Sequence, residues 1–168
     1  MAHDEKIPVT AAVRFLREHQ ITFEPFTYTY EPHGGTHHAA ESLGVAEHSV
    51  VKTLVMETEL RQPLLVLMHG DREVSTKQLA RVMGANRVTP CDEHTAQKHT
   101  GYVVGGISPF GTHSKLPIYA EESIFELPLV YINGGKRGFL VGIDPTDIRT
   151  SLTPNIVHVA QPAAESPT

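Results

Sequence analysis

The chain has 168 residues, of which 40% are hydrophobic and 20% charged, and its net charge is −5 with the histidines neutral. This composition suits one globular domain with a full-sized core and argues against a protein that holds nucleic acid by phosphate contacts alone, because such a protein is normally basic. A bilayer-spanning run, a signal-peptide pattern and a second cysteine are all missing from the sequence. We therefore expect a cytoplasmic protein that binds neither membranes nor DNA.

The first half of the chain predicts two helices and a hairpin. Hydrophobic spacing predicts a helix over 8–19, a strand over 23–30, a loop over 31–38, and a short helix over 38–43. The apolar runs SVVKTLVME (49–57) and LLVLMH (64–69) predict two strong strands joined as a hairpin.

The second half predicts further helices and strands in alternation. A capping box at Ser75-Thr76-Lys77-Gln78 predicts a helix ended by Gly84, and Asp92 predicts the start of another ended by Gly101. Strands are predicted over 88–90, 102–104, 117–120, 129–132, 138–143 and 156–159, with a turn at Asn133-Gly134 and a last helix from Asp144-Pro145.

Strands outnumber helices and hairpins are frequent in this pattern. The sequence therefore predicts an α+β fold with a mixed, mainly antiparallel sheet. We expect a single domain over 1–160 and a disordered tail over 161–168, QPAAESPT.

Lys52 occupies an unusual position for a charged residue. In a strand, alternation places it on the same face as Val50 and Leu54, and both faces of this strand are mostly apolar. Either the side chain extends to solvent along its stem, or its ammonium group is an anchor inside a pocket. Periodicity alone leaves both interpretations open.

The stretch GYVVGGISP interrupts a β-branched run with Gly105-Gly106, and Pro109 follows. Glycine pairs of this kind allow the backbone to approach another group closely, or they form a bulge or bend without any ligand. Together with VVKT, AQKHTG and YINGGKRG, which occur in the order found in the family, the stretch resembles the YbaK/EbsC family of aminoacyl-tRNA deacylases. These proteins are relatives of the editing domain in bacterial prolyl-tRNA synthetases. The resemblance covers about residues 8–159, and it is greatest to the small free-standing members that remove cysteine from proline tRNA.

The resemblance implies a curved sheet with helices around it and a pocket for the aminoacyl end of tRNA. Lys52, Gly105 and Gly106 are then the catalytic groups, the lysine near the ester and the glycine amides near the aminoacyl carbonyl. The implied substrate-binding residues are Tyr28, Thr53, Ser108, Pro109, Asn133, Gly134, Lys136 and Arg137. Tyr28 can equally be an ordinary strand aromatic, and alternation turns Thr53 away from Lys52, so its backbone matters more than its hydroxyl.

The implied reaction needs no nucleophile from the protein. In the route proposed for the family, the sulfur of the cysteinyl group attacks its own ester carbonyl and leaves as a thiolactone. The sequence agrees with this because Cys91 precedes Asp92 and Glu93, whose charge disfavours a thiolate. The implied partners are the acceptor end of aminoacyl-tRNA and prolyl-tRNA synthetase, and no cofactor is implied.

Several positions leave the function open. Asn133 stands where the cysteine deacylases usually carry serine, so removal of alanine or another small residue is an alternative, as is a non-catalytic binding module. Lys136 and Arg137 are either exposed hairpin cations or contacts to the terminal tRNA phosphates. The eleven histidines form no HExxH motif, so the sequence indicates no metal site.

Overall fold

The computed structural model describes residues 7–163, and within that range it contains five α-helices and ten β-strands. The helices are α1 Ala11–Glu18, α2 Gly35–Leu43, α3 Thr76–Met83, α4 Glu93–Thr100 and α5 Pro145–Leu152. The strands are β1 Glu24–Thr27, β2 Val50–Thr58, β3 Pro63–His69, β4 Arg72–Val74, β5 Val88–Pro90, β6 Ile118–Glu121, β7 Val130–Lys136, β8 Phe139–Ile143, β9 Asn155–Val157 and β10 Ala160–Pro162.

Eight of the strands form one sheet in the order β1-β8-β7-β2-β3-β6-β9, and β5 pairs with the end of β2. Four pairs are antiparallel (β1 with β8, β7 with β8, β2 with β3, β2 with β5). Three pairs are parallel (β2 with β7, β3 with β6, β6 with β9). The predicted α+β fold with a mixed, mainly antiparallel sheet is thus confirmed.

Helices cover both faces of the sheet because the central strands are apolar on both sides. On one face α1 packs Val13 and Leu16 into a cluster that includes Val51 of β2. On the other face α3 packs Leu79 against Met56 of β2. Within residues 7–163 none of the helices has the length and hydrophobicity needed to cross a membrane.

Side-chain caps fix the helix starts that the sequence predicts. The Ser75 hydroxyl accepts the Gln78 N–H at 3.2 Å, and the Asp92 carboxylate accepts the Thr95 N–H at 2.7 Å. Helix α1 begins at Ala11 rather than residue 8, because Thr10 caps it. Helix α2 begins at Gly35, inside the predicted loop.

Two local predictions around the glycine-rich segments are wrong. Residues 102–104 form no strand, and Val103 and Val104 are 43% and 37% exposed. The hairpin turn lies at Arg137-Gly138 rather than at Asn133-Gly134, because β7 continues to Lys136 through a bulge. The Asn133 side-chain oxygen accepts the N–H groups of Gly135 and Lys136 at 2.7 and 3.1 Å, which satisfies the backbone of the bulge.

Strand pairing also continues into the segment predicted to be a disordered tail. Strand β10 pairs antiparallel with β4, with Gln161 opposite Glu73 and Pro162 opposite Arg72. The carboxylate of Glu121 holds the start of this strand by accepting the N–H groups of Val159 and Ala160 at 2.7 and 2.9 Å. The rest of the predicted tail, 164–168, lies outside the described residues.

Candidate functional site

A gap in the sheet opens along one edge of β2. The parallel pairing of β2 with β7 ends at Val51 opposite Ile132, and the pairing with β5 begins at Met56 opposite Pro90. Between these points β2 pairs only with β3, on its other edge. A cleft of about 810 Å³ lies at this gap and is bounded by β2, the hairpin β7–β8, the segment 28–39 with the start of α2, the start of α4 and the segment 104–107.

The cleft brings together six of the residues that the sequence predicts as site residues. They are Tyr28, Lys52, Thr53, Gly105, Asn133 and Arg137. These residues come from four separate segments of the chain and line one cavity, as is typical of a binding site.

Lys52 is half-buried in the wall of this cleft. Burial lowers the pKa of its ammonium group, and the negative charges of Glu73, Glu47 and Asp71 offset this lowering only in part. In its charged form the side chain is a cation in a partly desolvated cavity, where its attraction for an oxyanion is stronger than in bulk water.

Thr53 also reaches the cleft, although it lies on the opposite face of β2 from Lys52. The gap exposes the edge of the strand, so residues of both faces line it. The Val55 carbonyl accepts the Cys91 N–H on this edge at 3.0 Å. Because amide groups alternate between edges, the N–H and C=O of Thr53 point to the same edge. The Thr53 hydroxyl is buried and has no hydrogen-bond partner within residues 7–163.

Gly105 occupies the third position of a tight turn at the rim of the cleft. The Gly106 N–H donates to the Val103 carbonyl at 2.9 Å, and Gly105 has φ +91°, as in a type II turn. A Cβ at Gly105 would lie 2.8 Å from the Tyr30 hydroxyl. Glycine is required there both by the backbone conformation and by the approach of Tyr30. We find no partner for the Gly105 N–H within residues 7–163.

The remaining predicted site residues do not line the cleft. The Gly106 N–H is used within the turn, and a Cβ there would lie 2.8 Å from the Arg137 backbone nitrogen, so this glycine serves close packing. Ser108 is fully buried and its hydroxyl accepts the Phe110 N–H at 3.1 Å. Pro109 and Gly134 are buried as well, and Lys136 is exposed outside the cleft.

Sequence reasoning missed other residues of the cleft. Tyr30 lies against Gly105, and His38 Nε2 donates a hydrogen bond to the Thr29 carbonyl at 2.7 Å. Cys91 also lines the cleft, and burial, together with Glu57 and Asp92, raises the pKa of its thiol to about 11. No pattern in the sequence singles out Tyr30 or His38, because they reach the cleft only through the pairing of β1 with β8 and the placement of α2.

A cluster of His48, His69 and Asp71 places three potential ligand atoms within 4.8 Å of one another. The two rings stack with centroids 3.8 Å apart and planes 7° apart, so their nitrogen lone pairs run parallel instead of converging. His69 Nδ1 donates to the His48 carbonyl at 2.7 Å, and Nε2 accepts from the Ser123 hydroxyl at 2.7 Å. The cluster is therefore a hydrogen-bonded group in which only His69 is fully buried, and its geometry does not suit a metal ion.

Comparison with known proteins relates this chain to tRNA-editing domains. Residues 31–151 match the family model of the aminoacyl-tRNA editing domain. The chain is 28% identical over 149 residues to an Enterococcus faecalis protein named "Putative Cys-tRNA(Pro)/Cys-tRNA(Cys) deacylase EbsC", covering 88% of this chain and 91% of that one. It is 32% identical over 108 residues to a segment of the proline–tRNA ligase of Thermodesulfovibrio yellowstonii, 63% of this chain and 18% of the ligase.

A solved structure shows the same fold. It is described as a "putative trans-editing enzyme for prolyl tRNA synthetase", and it superposes with a TM-score of 0.76 at 20% identity over 92% of this chain and 99% of that chain. The family model covers both walls of the cleft, from Glu31 through Lys52 and Gly105 to Arg137. The chain therefore belongs to the aminoacyl-tRNA editing domain family.

Proposed function

We propose that this protein removes cysteine in trans from mischarged Cys-tRNA(Pro), and also from Cys-tRNA(Cys). The observation that carries the proposal is the composition of the cleft, whose lining includes Lys52 and Gly105, the latter with an N–H group that no acceptor within residues 7–163 engages, and includes no activated thiol. The one thiol of the chain, Cys91, has its pKa raised to about 11 and is protonated at neutral pH. A substrate that carries its own thiol needs none from the protein.

The proposed reaction is an intramolecular displacement. The cysteinyl sulfur forms a bond to its own ester carbonyl carbon, and the bond from that carbon to the terminal ribose oxygen breaks. The thiol proton passes to the ribose oxygen, so the products are a thiolactone and the free tRNA hydroxyl. Lys52 and the Gly105 N–H stabilise the negative charge that develops on the ester oxygens, and the cleft holds the sulfur close to the carbonyl.

Thr53 supports this arrangement from the opposite side of the strand. Its main-chain N–H and C=O lie on the exposed edge of β2, and its buried hydroxyl has no partner within residues 7–163. An aminoacyl group supplies a matching donor in its amino group. Asn133 is already bound within the protein, since its amide nitrogen donates to the Gly105 carbonyl at 3.2 Å. The asparagine at this position, where the cysteine deacylases usually carry serine, is therefore compatible with a role in holding the turn 103–106.

Two other functions remain alternatives with distinct expectations. Asn133 in place of serine favours removal of alanine or another small residue, if its amide changes the polarity of the pocket. A binding module without catalysis would retain the cleft and bind a small ligand there. The proposed partner in the cysteine reaction is prolyl-tRNA synthetase.

The test is deacylation of Cys-, Ala- and Ser-tRNA(Pro) by the wild type and Lys52→Ala. We expect Cys-tRNA(Pro) to be cleared fastest and Lys52→Ala to lose at least about 100-fold in kcat, the magnitude typical for removal of an oxyanion-stabilising group. The matched control is Lys98→Ala, an exposed lysine of α4 outside the cleft. Equal rates for wild type and Lys52→Ala would refute the role of Lys52. Fastest clearance of Ala-tRNA(Pro) would select the alternative substrate, and no turnover would favour the binding module.

A further inference from the structure

Two side chains of the β7–β8 hairpin hold both carbonyl groups around Gly105. Arg137 Nε donates to the Val104 carbonyl at 2.9 Å, and Asn133 Nδ2 donates to the Gly105 carbonyl at 3.2 Å. Asn133 is itself anchored, because its side-chain oxygen accepts two N–H groups of the bulge. The turn is therefore attached to the hairpin at two successive peptides.

The Arg137 guanidinium is also restrained on its other side. It lies over the ring of Tyr30, 5.1 Å from the centroid, which is a favourable cation–π arrangement. Tyr30 in turn occupies the space that a side chain at residue 105 would need. Arg137 thus uses its Nε–H and the face of its guanidinium for contacts within the protein, although the residue is exposed.

The contact to Val104 determines the direction of the Gly105 N–H. A trans peptide is planar, so the N–H of Gly105 points opposite to the carbonyl of Val104. Because that carbonyl faces the hairpin, the N–H is turned away from the hairpin. The same four residues can also form a type I turn, in which the Val104–Gly105 peptide is flipped. The Val104 carbonyl would then point where the Gly105 N–H points in the type II turn.

We propose that Arg137 is a positioning residue: its Nε fixes the Val104–Gly105 peptide so that the Gly105 N–H is directed at the ester carbonyl, and Asn133 holds the following peptide. The catalytic part of this inference rests on the proposed deacylase function. The positioning role is offered in place of the interpretation of Arg137 as a contact to the tRNA phosphates. A phosphate contact requires the positive charge of the side chain but not its Nε–H group in particular.

The decisive variant is Arg137→Lys, which keeps the positive charge but loses the Nε donor. We expect kcat on Cys-tRNA(Pro) to fall by about 10- to 100-fold, approaching the loss of one oxyanion donor, with KM within about twofold of wild type. The matched control is Arg17→Lys, an exposed arginine of α1 for which no side-chain contact is found in residues 7–163, and its kcat should equal wild type. Thermal unfolding of each variant checks that the fold is retained.

A structural readout separates the inference from the proposed function. Residual dipolar couplings of the Gly105 N–H measure its direction without any substrate, and we expect them to change in Arg137→Lys but not in Arg17→Lys. Unchanged couplings would overturn the positioning role even if the protein is a deacylase. A wild-type rate in Arg137→Lys, with Arg137→Ala raising KM more at low salt than at high salt, would assign Arg137 to phosphate binding instead. If no variant deacylates any tRNA, the proposed function fails while the couplings still decide what Arg137 does.

Discussion

A buried hydroxyl without a partner is costly, and Thr53 carries one in the wall of the cleft. Burial of an unsatisfied polar group costs about 1–3 kcal/mol, so a fold has reason to retain it where a ligand satisfies it. Lys52, the preceding residue of β2, shows the same conflict between burial and polarity, since burial lowers its pKa and neighbouring carboxylates offset this only in part. Two adjacent residues therefore reduce stability at the same gap in the sheet.

Thr53→Val tests this trade between stability and function. Valine has nearly the same shape but no hydroxyl, so we expect the free energy of unfolding to stay equal or rise by about 1 kcal/mol. We expect kcat/KM on Cys-tRNA(Pro) to fall by about tenfold, the equivalent of one lost hydrogen bond. Chemical denaturation and deacylation kinetics measure the two quantities. A loss of stability without loss of activity would show that the hydroxyl supports only the fold.

At the scale of elements, the turn 103–106 and the hairpin β7–β8 act as one unit. Gly106 lets the turn lie against the backbone of Lys136 and Arg137, and polar side chains of the hairpin then bind its carbonyls. The bulge in β7 places the Asn133 side chain beside the turn 103–106. A two-residue hairpin turn at Asn133-Gly134 would instead end the strand before it reaches Arg137. Gly106 and Gly138 thus each allow one backbone to approach another, since a Cβ would lie 2.8 Å from the Arg137 nitrogen in the first case and 2.6 Å from the Tyr28 carbonyl oxygen in the second.

Gly105→Ala and Gly44→Ala separate backbone strain from the site. Both glycines have positive φ, +91° and +70°, so alanine should cost about 1–2 kcal/mol of stability in either position. Only Gly105 has a neighbour in the way, the Tyr30 hydroxyl, whereas a Cβ at Gly44 meets no atom within 4 Å. We expect both variants to be destabilised and only Gly105→Ala to lose kcat, by at least about tenfold. Equal activity of the two variants would remove the turn from the mechanism.

At the scale of the whole molecule, the negative net charge of the protein disfavours the binding of RNA. The chain carries 19 acidic against 14 basic residues, and Glu31 and Glu93 line the cleft itself. Affinity for nucleic acid depends mainly on phosphate neutralisation. An acidic surface therefore predicts weak intrinsic binding and little discrimination between tRNA bodies, so that selectivity has to come from a tethering partner.

This predicts that the isolated protein deacylates Cys-tRNA(Pro) and Cys-tRNA(Cys) with kcat/KM values within about threefold of each other. Addition of prolyl-tRNA synthetase should raise the ratio in favour of tRNA(Pro), because binding in a complex increases the effective concentration. Competition assays with both charged tRNAs, with and without the synthetase, measure this ratio. Strong preference for one tRNA by the protein alone would contradict the argument from charge.

Local signals in the sequence are sufficient to predict most of the regular elements and the candidate residues. Caps such as Ser75 and Asp92, glycine stops and the alternation of β2 and β3 are local signals, because each depends on neighbours within a few residues. The position of Lys52 in an apolar strand and the motif order also indicated the family, which the comparisons confirmed. The strand predicted at 102–104 was wrong because β-branched residues favour strands only where a partner strand is available.

Which of these candidates share a cavity depends on the three-dimensional arrangement of the strands. Strand β2 loses β7 as a partner after Val51 and gains β5 at Met56, so the cleft is a property of three segments far apart in the chain. The side chains of Asn133 and Arg137 bind a turn 28 and 33 residues away, and Tyr30 enters through β1. Such contacts depend on strand order and on where pairing stops, and periodicity within a single segment carries no information about either.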